Sequence, residues 1–193
     1  MKDLSANPKR DDILMAAWQA FATYGFRKTS MDDIARGSGM SRPAVYLHFK
    51  GKEEIFRSLV SQYYETAIGD VTTALAQPGT PAQVLSRAFE AQIGKTLEAM
   101  LTSAHGMELL DASNTKADDL IMQGEARLTE VYANWLRAAG ARGEILLPAT
   151  PQLLASTICA SLKAVKHGGP DYETALAQIR LLALMIGDGL TPR

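Results

Sequence analysis

Cysteine is almost missing: Cys159 is the single thiol in 193 residues. That excludes an intramolecular disulfide framework and a cysteine-ligated zinc cluster, and it fits a reducing compartment, so a cytoplasmic location is expected. Strand signals are equally scarce. No alternating Val/Ile/Thr run and no Asn-Gly hairpin occurs, whereas apolar residues recur at helical spacing throughout, which makes the fold all-α. Long apolar runs are lacking too. The most apolar early stretch, ILMAAWQAFA from Ile13, follows KRDD and contains Gln19; it is too short for a membrane span and ends in no cleavage site. It reads as a buried helix, and no membrane partner is expected.

Chemical machinery is missing as well. His48, His105 and His167 have no metal-ligand spacing, so no metal or other cofactor is expected. Gly94–Thr96 (GKT) echoes the end of a phosphate-binding loop, but the glycine required five residues earlier is Phe89, and no strand precedes it. There is no Gly-x-Ser-x-Gly elbow. Catalysis therefore has no visible seat, and the chain is not expected to be an enzyme. Cys159, flanked by Thr157, Ile158 and Ala160, reads as a small hydrophobe on a helix.

What is present is an ordinary globular balance, 47% apolar and 21% charged, with an uneven charge distribution. Through Arg57 there are ten Lys/Arg against seven Asp/Glu, a net +3; the remainder carries ten against fourteen, a net −4. A basic head on an acidic body suggests that the head meets a polyanion.

Ile13, Ala17, Phe21 and Tyr24 share one stripe, and Gly25 is placed to end that helix, predicted over about 11–24, in a left-handed cap. Ser30 followed by Asp33 forms a capping-box pattern for a short helix from Met31 that fails near Gly39. Ser41 caps the next helix, with Pro43 tolerated in its first turn, carrying Ala44 to Phe49. After Gly51 a longer helix runs from about 52 to 75. Further helices are predicted at about 81–101, 105–112, 116–139, 151–166 and 171–188, with Thr80-Pro81 and Thr150-Pro151 as starts and Gly140 and the glycines at 168–169 as stops. The total is about nine.

Two short helices joined by a glycine turn and followed by a longer one make a helix-turn-helix, whose second helix lies in the DNA major groove. Ala35 sits at the crossing, Gly39 takes the turn, and Val45 plugs the gap. The outer face of the second helix has the chemistry of a DNA reader. Arg42 can donate twice to a guanine edge, and Pro43 and Ala44 present apolar surface to thymine methyls. Tyr46, His48, Lys50 and Lys52 stand where phosphates would be held, with Thr29 and Ser41 at the helix starts completing the set.

The stretch TSMDDIARGSGMSRPAVYLHFKGKEEIF, Thr29 to Phe56, strongly resembles the TetR family of transcriptional regulators: Thr, then Ile-Ala, Gly, Ser, and finally Tyr-x-His-Phe-x-x-Lys-Glu. Ser38 departs from the alanine common at that position. The resemblance is specific over about 45 residues; beyond Phe56 it is architectural. It implies a DNA-binding domain over 1–56, a connecting helix at about 52–75, and a larger C-terminal domain over 57–193 that binds an effector and dimerises.

In that second region Phe89, Met100, His105, Met107 and Leu110 combine with Ile121, Gly124, Leu128, Tyr132 and Trp135 as candidate lining for an apolar cavity, Gly124 opening space within it. Ser156, Ala160 and Ala164 form a small-residue stripe on one helix, and Ala175, Ile179, Leu182 and Ile186 stripe the last. Helices apolar on more than one side must be buried on more than one side, which points to a homodimer through these two helices. A dimer presents two reading helices, so the operator should be roughly palindromic. The resulting expectation is a repressor that binds double-stranded DNA as a homodimer and is released by a small, largely apolar effector. Two other readings stay open: an all-α carrier or enzyme with a structural helix-turn-helix, and a regulator independent of any ligand.

Overall fold

The computed structural model describes residues 8–106, 108, 109, 115–168 and 171–192, the side chains of 94–97, 100 and 167 excepted. Eight helices are delimited among them: α1 Pro8–Lys28, α2 Met31–Gly37, α3 Arg42–Tyr46, α4 Lys52–Leu75, α5 Pro81–Leu101, α6 Asp118–Ala141, α7 Pro151–Gly168 and α8 Tyr172–Leu190. The fold is all-α with an N-terminal helix-turn-helix, as the apolar spacing predicts. Part of the additional short helix expected at 105–112 lies outside the described residues; Gly106, Glu108 and Leu109 within it are helical.

Local chemistry explains the first three boundaries. Gly25 takes φ 80° and ψ 158°, breaking α1 where the glycine was expected to end it, although one further turn continues to Lys28. Ser30 and Asp33 close the expected capping box: the Asp33 amide donates to Ser30 Oγ at 3.2 Å and the Ser30 amide to Asp33 Oδ2 at 2.9 Å. Gly39, at φ 67°, makes the turn that a side chain would strain. Ser41 Oγ accepts the Ala44 amide at 3.3 Å to start α3, which is shorter than expected and ends at Tyr46.

The chain forms two compact units. One takes in the described residues up to Tyr63 together with Met100–Ile121; the other takes in Tyr64–Ala99 and Met122 onward. The core of the first is built from Ile13, Ala17 and Phe21 of α1, Ile34 and Ala35 of α2, Val45 of α3 and Ile55 and Phe56 of α4, joined by Phe26, Phe49 and Leu109. Phe21, Phe26 and Phe56 pack mutually with ring centroids 5.0–5.8 Å apart. Burying each such ring contributes about 1.5–3 kcal/mol, and α3 joins this core through Val45.

The second unit is centred on Leu85, Ala88 and Phe89 of α5, Leu128, Tyr132 and Leu136 of α6, Ile158 and Leu162 of α7, and Ala175, Ile179 and Ala183 of α8. Thr80 and Gln83 form a reciprocal cap at the start of α5, and Asp171 Oδ1 accepts the Thr174 amide at 2.8 Å to start α8. Gly124 lies against the Tyr64 ring so closely that a methyl group there would overlap it. The space that Gly124 was expected to open is thus filled by Tyr64.

Candidate nucleic-acid interface

Helix α3 is held from behind by Val45, which is fully buried, and by Phe49 just beyond its end. Arg10 of α1 braces the same end: its guanidinium stacks 4.0 Å from the Phe49 ring centroid and donates to the His48 carbonyl and to Ser58 Oγ, each at 3.1 Å. With its back fixed, α3 turns Ser41, Arg42, Pro43 and Tyr46 outward, all exposed, and Lys50 follows them on the surface. Ala44 and His48 are half-buried.

Arg42 is oriented on both sides. Its Nη1 lies 3.2 Å from Asp32 Oδ2, and its Nη2 reaches the Tyr46 hydroxyl at 3.4 Å, with the guanidinium carbon 5.6 Å from that ring's centroid. A guanidinium has five N–H donors, so enough remain for a two-pronged contact with a guanine edge. Asp33, by contrast, is absorbed by its cap: hydrogen bonds from the Ser30 hydroxyl and amide, aided by Arg36, hold its carboxyl below the usual range.

Two expected phosphate contacts take other places. Thr29 is 2% exposed, and its hydroxyl sits 2.7 Å from the Gly25 carbonyl and 3.2 Å from that of Ala20. Lys52 turns inward, its Nζ donating to the carbonyls of Phe26, Arg27 and Thr29 at 2.8–2.9 Å and lying 4.9 Å from the Phe26 centroid. That ammonium satisfies carbonyls at the end of α1, where a cation is electrostatically favoured. Conversely, Leu47, which sequence reasoning omitted, is 85% exposed. Helical spacing from Pro43 (i+4) already placed it on the outer face of α3.

The expected cavity residues are divided between the units. In the second, Phe89, Leu128 and Tyr132 are fully buried, the Phe89 and Tyr132 rings meeting edge-on at 6.0 Å, and the Tyr132 hydroxyl donates to buried Gln92 at 2.9 Å. Gly124 is buried against Tyr64 and Trp135 is half-buried. In the first unit Ile121 is buried, and half-buried His105 places Nδ1 3.2 Å from Glu108. The side chains of Met100, Met107 and Leu110 lie outside the described residues.

Of the expected dimer stripe, Ser156, Ala160 and Ala164 on α7 face outward. Ala175 and Ile179 do not: both are fully buried in their own unit, because α8 is apolar on two faces and these residues belong to the inner one. Leu182 and Ile186 are half-buried between the faces, and the outer face is Leu181, Leu184 and Met185, each at least half exposed. An apolar groove between α7 and α8 is lined by Ala164, Val165, Leu181, Leu182 and Met185. Cys159 is half-buried and its thiol is pushed up by burial, opposed by a hydrogen bond with Thr129.

Residues 13–59 match the model of the bacterial regulatory proteins of the tetR family. EthR of Mycolicibacterium smegmatis, named an HTH-type transcriptional regulator, is 32% identical over 114 residues. Residues 13–59 are a TetR-family DNA-binding region. The TetR match ends within α4, and the alignment with EthR covers 56% of this chain and 52% of EthR, so the chain aligns with about half of that relative's length. Over the whole chain the likeness is one of fold: SmeT, described as the repressor of the Stenotrophomonas maltophilia multidrug efflux pump SmeDEF, superposes with a TM-score of 0.72 at 22% identity, covering 99% of this chain and 93% of SmeT. A complex of SmeT with triclosan superposes at 0.67 and 23%, covering 96% and 93%. Among the described residues no helix is long and apolar enough to cross a membrane.

Proposed function

We propose that this chain is a transcriptional repressor that grips a roughly palindromic operator as a homodimer through Arg42, Pro43, Tyr46, Leu47 and Lys50, and releases it when an apolar small molecule enters the C-terminal unit. The observation that carries the reading is the outward placement of Arg42 and Tyr46 on a helix whose back is locked by Val45, Phe49 and Arg10. EthR's name as a regulator and SmeT's as a repressor support the same output.

The input rests on the second unit. The Tyr132–Gln92 pair is a polar handle inside an apolar core, the composition of a small-molecule site, and SmeT, alike in fold, is known with triclosan bound. A hundredfold loss of operator affinity requires about 2.7 kcal/mol of differential binding, within reach of one buried molecule.

The test is to select bound duplexes from a random library with the full chain, then titrate the recovered site by gel shift at several salt concentrations. Arg42→Ala should weaken the selected site by about 1–3 kcal/mol and relax base preference, whereas Tyr46→Ala should weaken all sequences alike. Variants that bind like the parent would remove the assignment. A compound screen for release of the same duplex tests the effector.

A further inference from the structure

The first turn of α2 carries two adjacent carboxylates with different fates. Asp33 is consumed by the capping box with Ser30. Asp32 instead extends across the turn to a residue ten positions on, its Oδ2 3.2 Å from Arg42 Nη1, with both side chains slightly more than half exposed. The arginine it meets is the one best placed to read a base.

On a surface meant for a polyanion, this placement is unfavourable on its face. Part of the attraction that Arg42 would offer an approaching phosphate is neutralised by Asp32 before DNA arrives. The cost is not uniform, however. A phosphate is attracted to Arg42 by net charge, which Asp32 reduces. A guanine edge is a neutral pair of acceptors whose contact depends on the plane and direction of the guanidinium, which Asp32 and the Tyr46 hydroxyl define from two sides. A group that weakens the wrong contact more than the right one raises specificity at the expense of affinity.

We propose that Asp32 is a specificity-determining residue of the DNA-reading surface, orienting Arg42 and discounting its attraction to phosphate so that non-cognate duplexes are held weakly. The proposal rests on the DNA-binding reading above and adds to it a residue that makes binding weaker by design. Asp32 is a positioning residue: it acts through Arg42 and need touch no base.

The experiment compares the parent, Asp32→Asn, Asp32→Glu, Arg42→Ala and the Asp32→Asn/Arg42→Ala double variant as full chains, each against the selected duplex and a random-sequence duplex across a salt series. Asp32→Asn should tighten random duplex by roughly three- to fivefold, the scale of releasing one exposed ion pair, and steepen its salt dependence by about one counterion. Affinity for the selected duplex should change by less than about twofold, so the specificity ratio falls. Asp32→Glu should restore the ratio, and in the Arg42→Ala background Asp32→Asn should have little effect.

Loss of selected-site affinity in Asp32→Asn that persists in the Arg42→Ala background would mean that the carboxylate itself accepts a hydrogen bond from a base, and would overturn the proposal. So would equal tightening with and without Arg42, which is the behaviour of a diffuse surface charge, or no change in either duplex. A parent chain that binds no duplex at any salt would instead overturn the DNA-binding reading, and this inference with it.

Discussion

Arg57 holds Asp119 with both prongs of its guanidinium, Nη1 to Oδ1 and Nη2 to Oδ2, each at 2.7 Å. Nη1 also donates to the Lys116 carbonyl at 2.9 Å, and Lys116 returns an ion pair to Glu53 at 2.8 Å. The first turns of α4 are thereby tied to residues 116–119 by two crossed charge pairs within one compact unit. Parallel N–H donors make this the strongest geometry an exposed pair adopts.

Acid is the direct probe of that tie. Hydrogen bonding from Arg57, assisted by its charge and opposed by partial desolvation, lowers the Asp119 carboxyl from 3.8 to about 2. Since the folded value lies below the unfolded one, the contribution is complete above about pH 4 and is lost as pH falls through 2. Carboxyl chemical shifts followed by NMR should place Asp119 near 2 in the parent and back in the ordinary carboxylate range in Arg57→Ala. An unchanged Asp119 in that variant would show that Arg57 is not its partner in solution.

Lys52 and Lys50 separate a structural lysine from one proposed to contact DNA. The Lys52 ammonium donates to three carbonyls around the end of α1, contacts made without DNA. Lys52→Ala should therefore lower stability by about 1.5–3 kcal/mol, the scale of hydrogen bonds to a charged group, seen as a lower unfolding midpoint in the absence of any duplex. Lys50→Ala, removing an exposed side chain, should leave the midpoint in place and reduce the salt slope of DNA binding by about 1. A Lys52→Ala chain with parental stability and a reduced slope would reverse these roles.

Gly124 and Tyr64 test the packing of the second unit. A methyl group at Gly124 would overlap the Tyr64 ring, which is 8% exposed and has little room to retreat. Overpacking of this kind costs about 1–3 kcal/mol. Gly124→Ala should lower the denaturant midpoint, and the Gly124→Ala/Tyr64→Ala double variant should lose less than the two single losses combined, because the two positions share one volume. Independent, additive losses would show that the ring does not occupy the glycine's space in solution.

These residues also show where sequence reasoning carried and where it stopped. The helix-turn-helix was legible because its determinants are local: Ser30 with Asp33, the turn at Gly39, and Ser41 before Arg42 are each set by neighbours three or four positions away. Thr29 and Lys52 were misplaced because their partners are decided by how α1 ends, and for Lys52 those partners lie 23–26 residues distant. The pairing of Gly124 with Tyr64 spans sixty positions, so a glycine that reads as space is in fact a cradle. Leu109 offers no local sign that it belongs to the core of the first unit. On α8 the pattern is apolar on two faces, and periodicity finds both without saying which one faces the chain's own core.

That two-sidedness yields the remaining prediction. Ala175, Ile179 and Ala183 form the inner face of α8 and are fully buried, while Leu181 and Met185, at 56% and 66% exposure, border the groove beside α7. On the homodimeric reading proposed above, a second copy of the same two helices would cover this apolar face. Charge on the outer face should then break association without unfolding the chain. Leu181→Glu with Met185→Lys should weaken the proposed dimer about a hundredfold, the scale of two lost interface anchors at ~1.5 kcal/mol each, read by sedimentation velocity across a dilution series, with helicity retained by circular dichroism. Operator affinity should fall with it, because two half-sites would no longer be held by one linked body. Ile179→Glu is the contrast: a charge at that fully buried position should cost the fold itself, with helicity lost at any concentration. If the outer-face variant sediments like the parent, this groove is not where the copies meet; if Ile179→Glu stays folded but becomes monomeric, the two faces of α8 have been assigned the wrong way round.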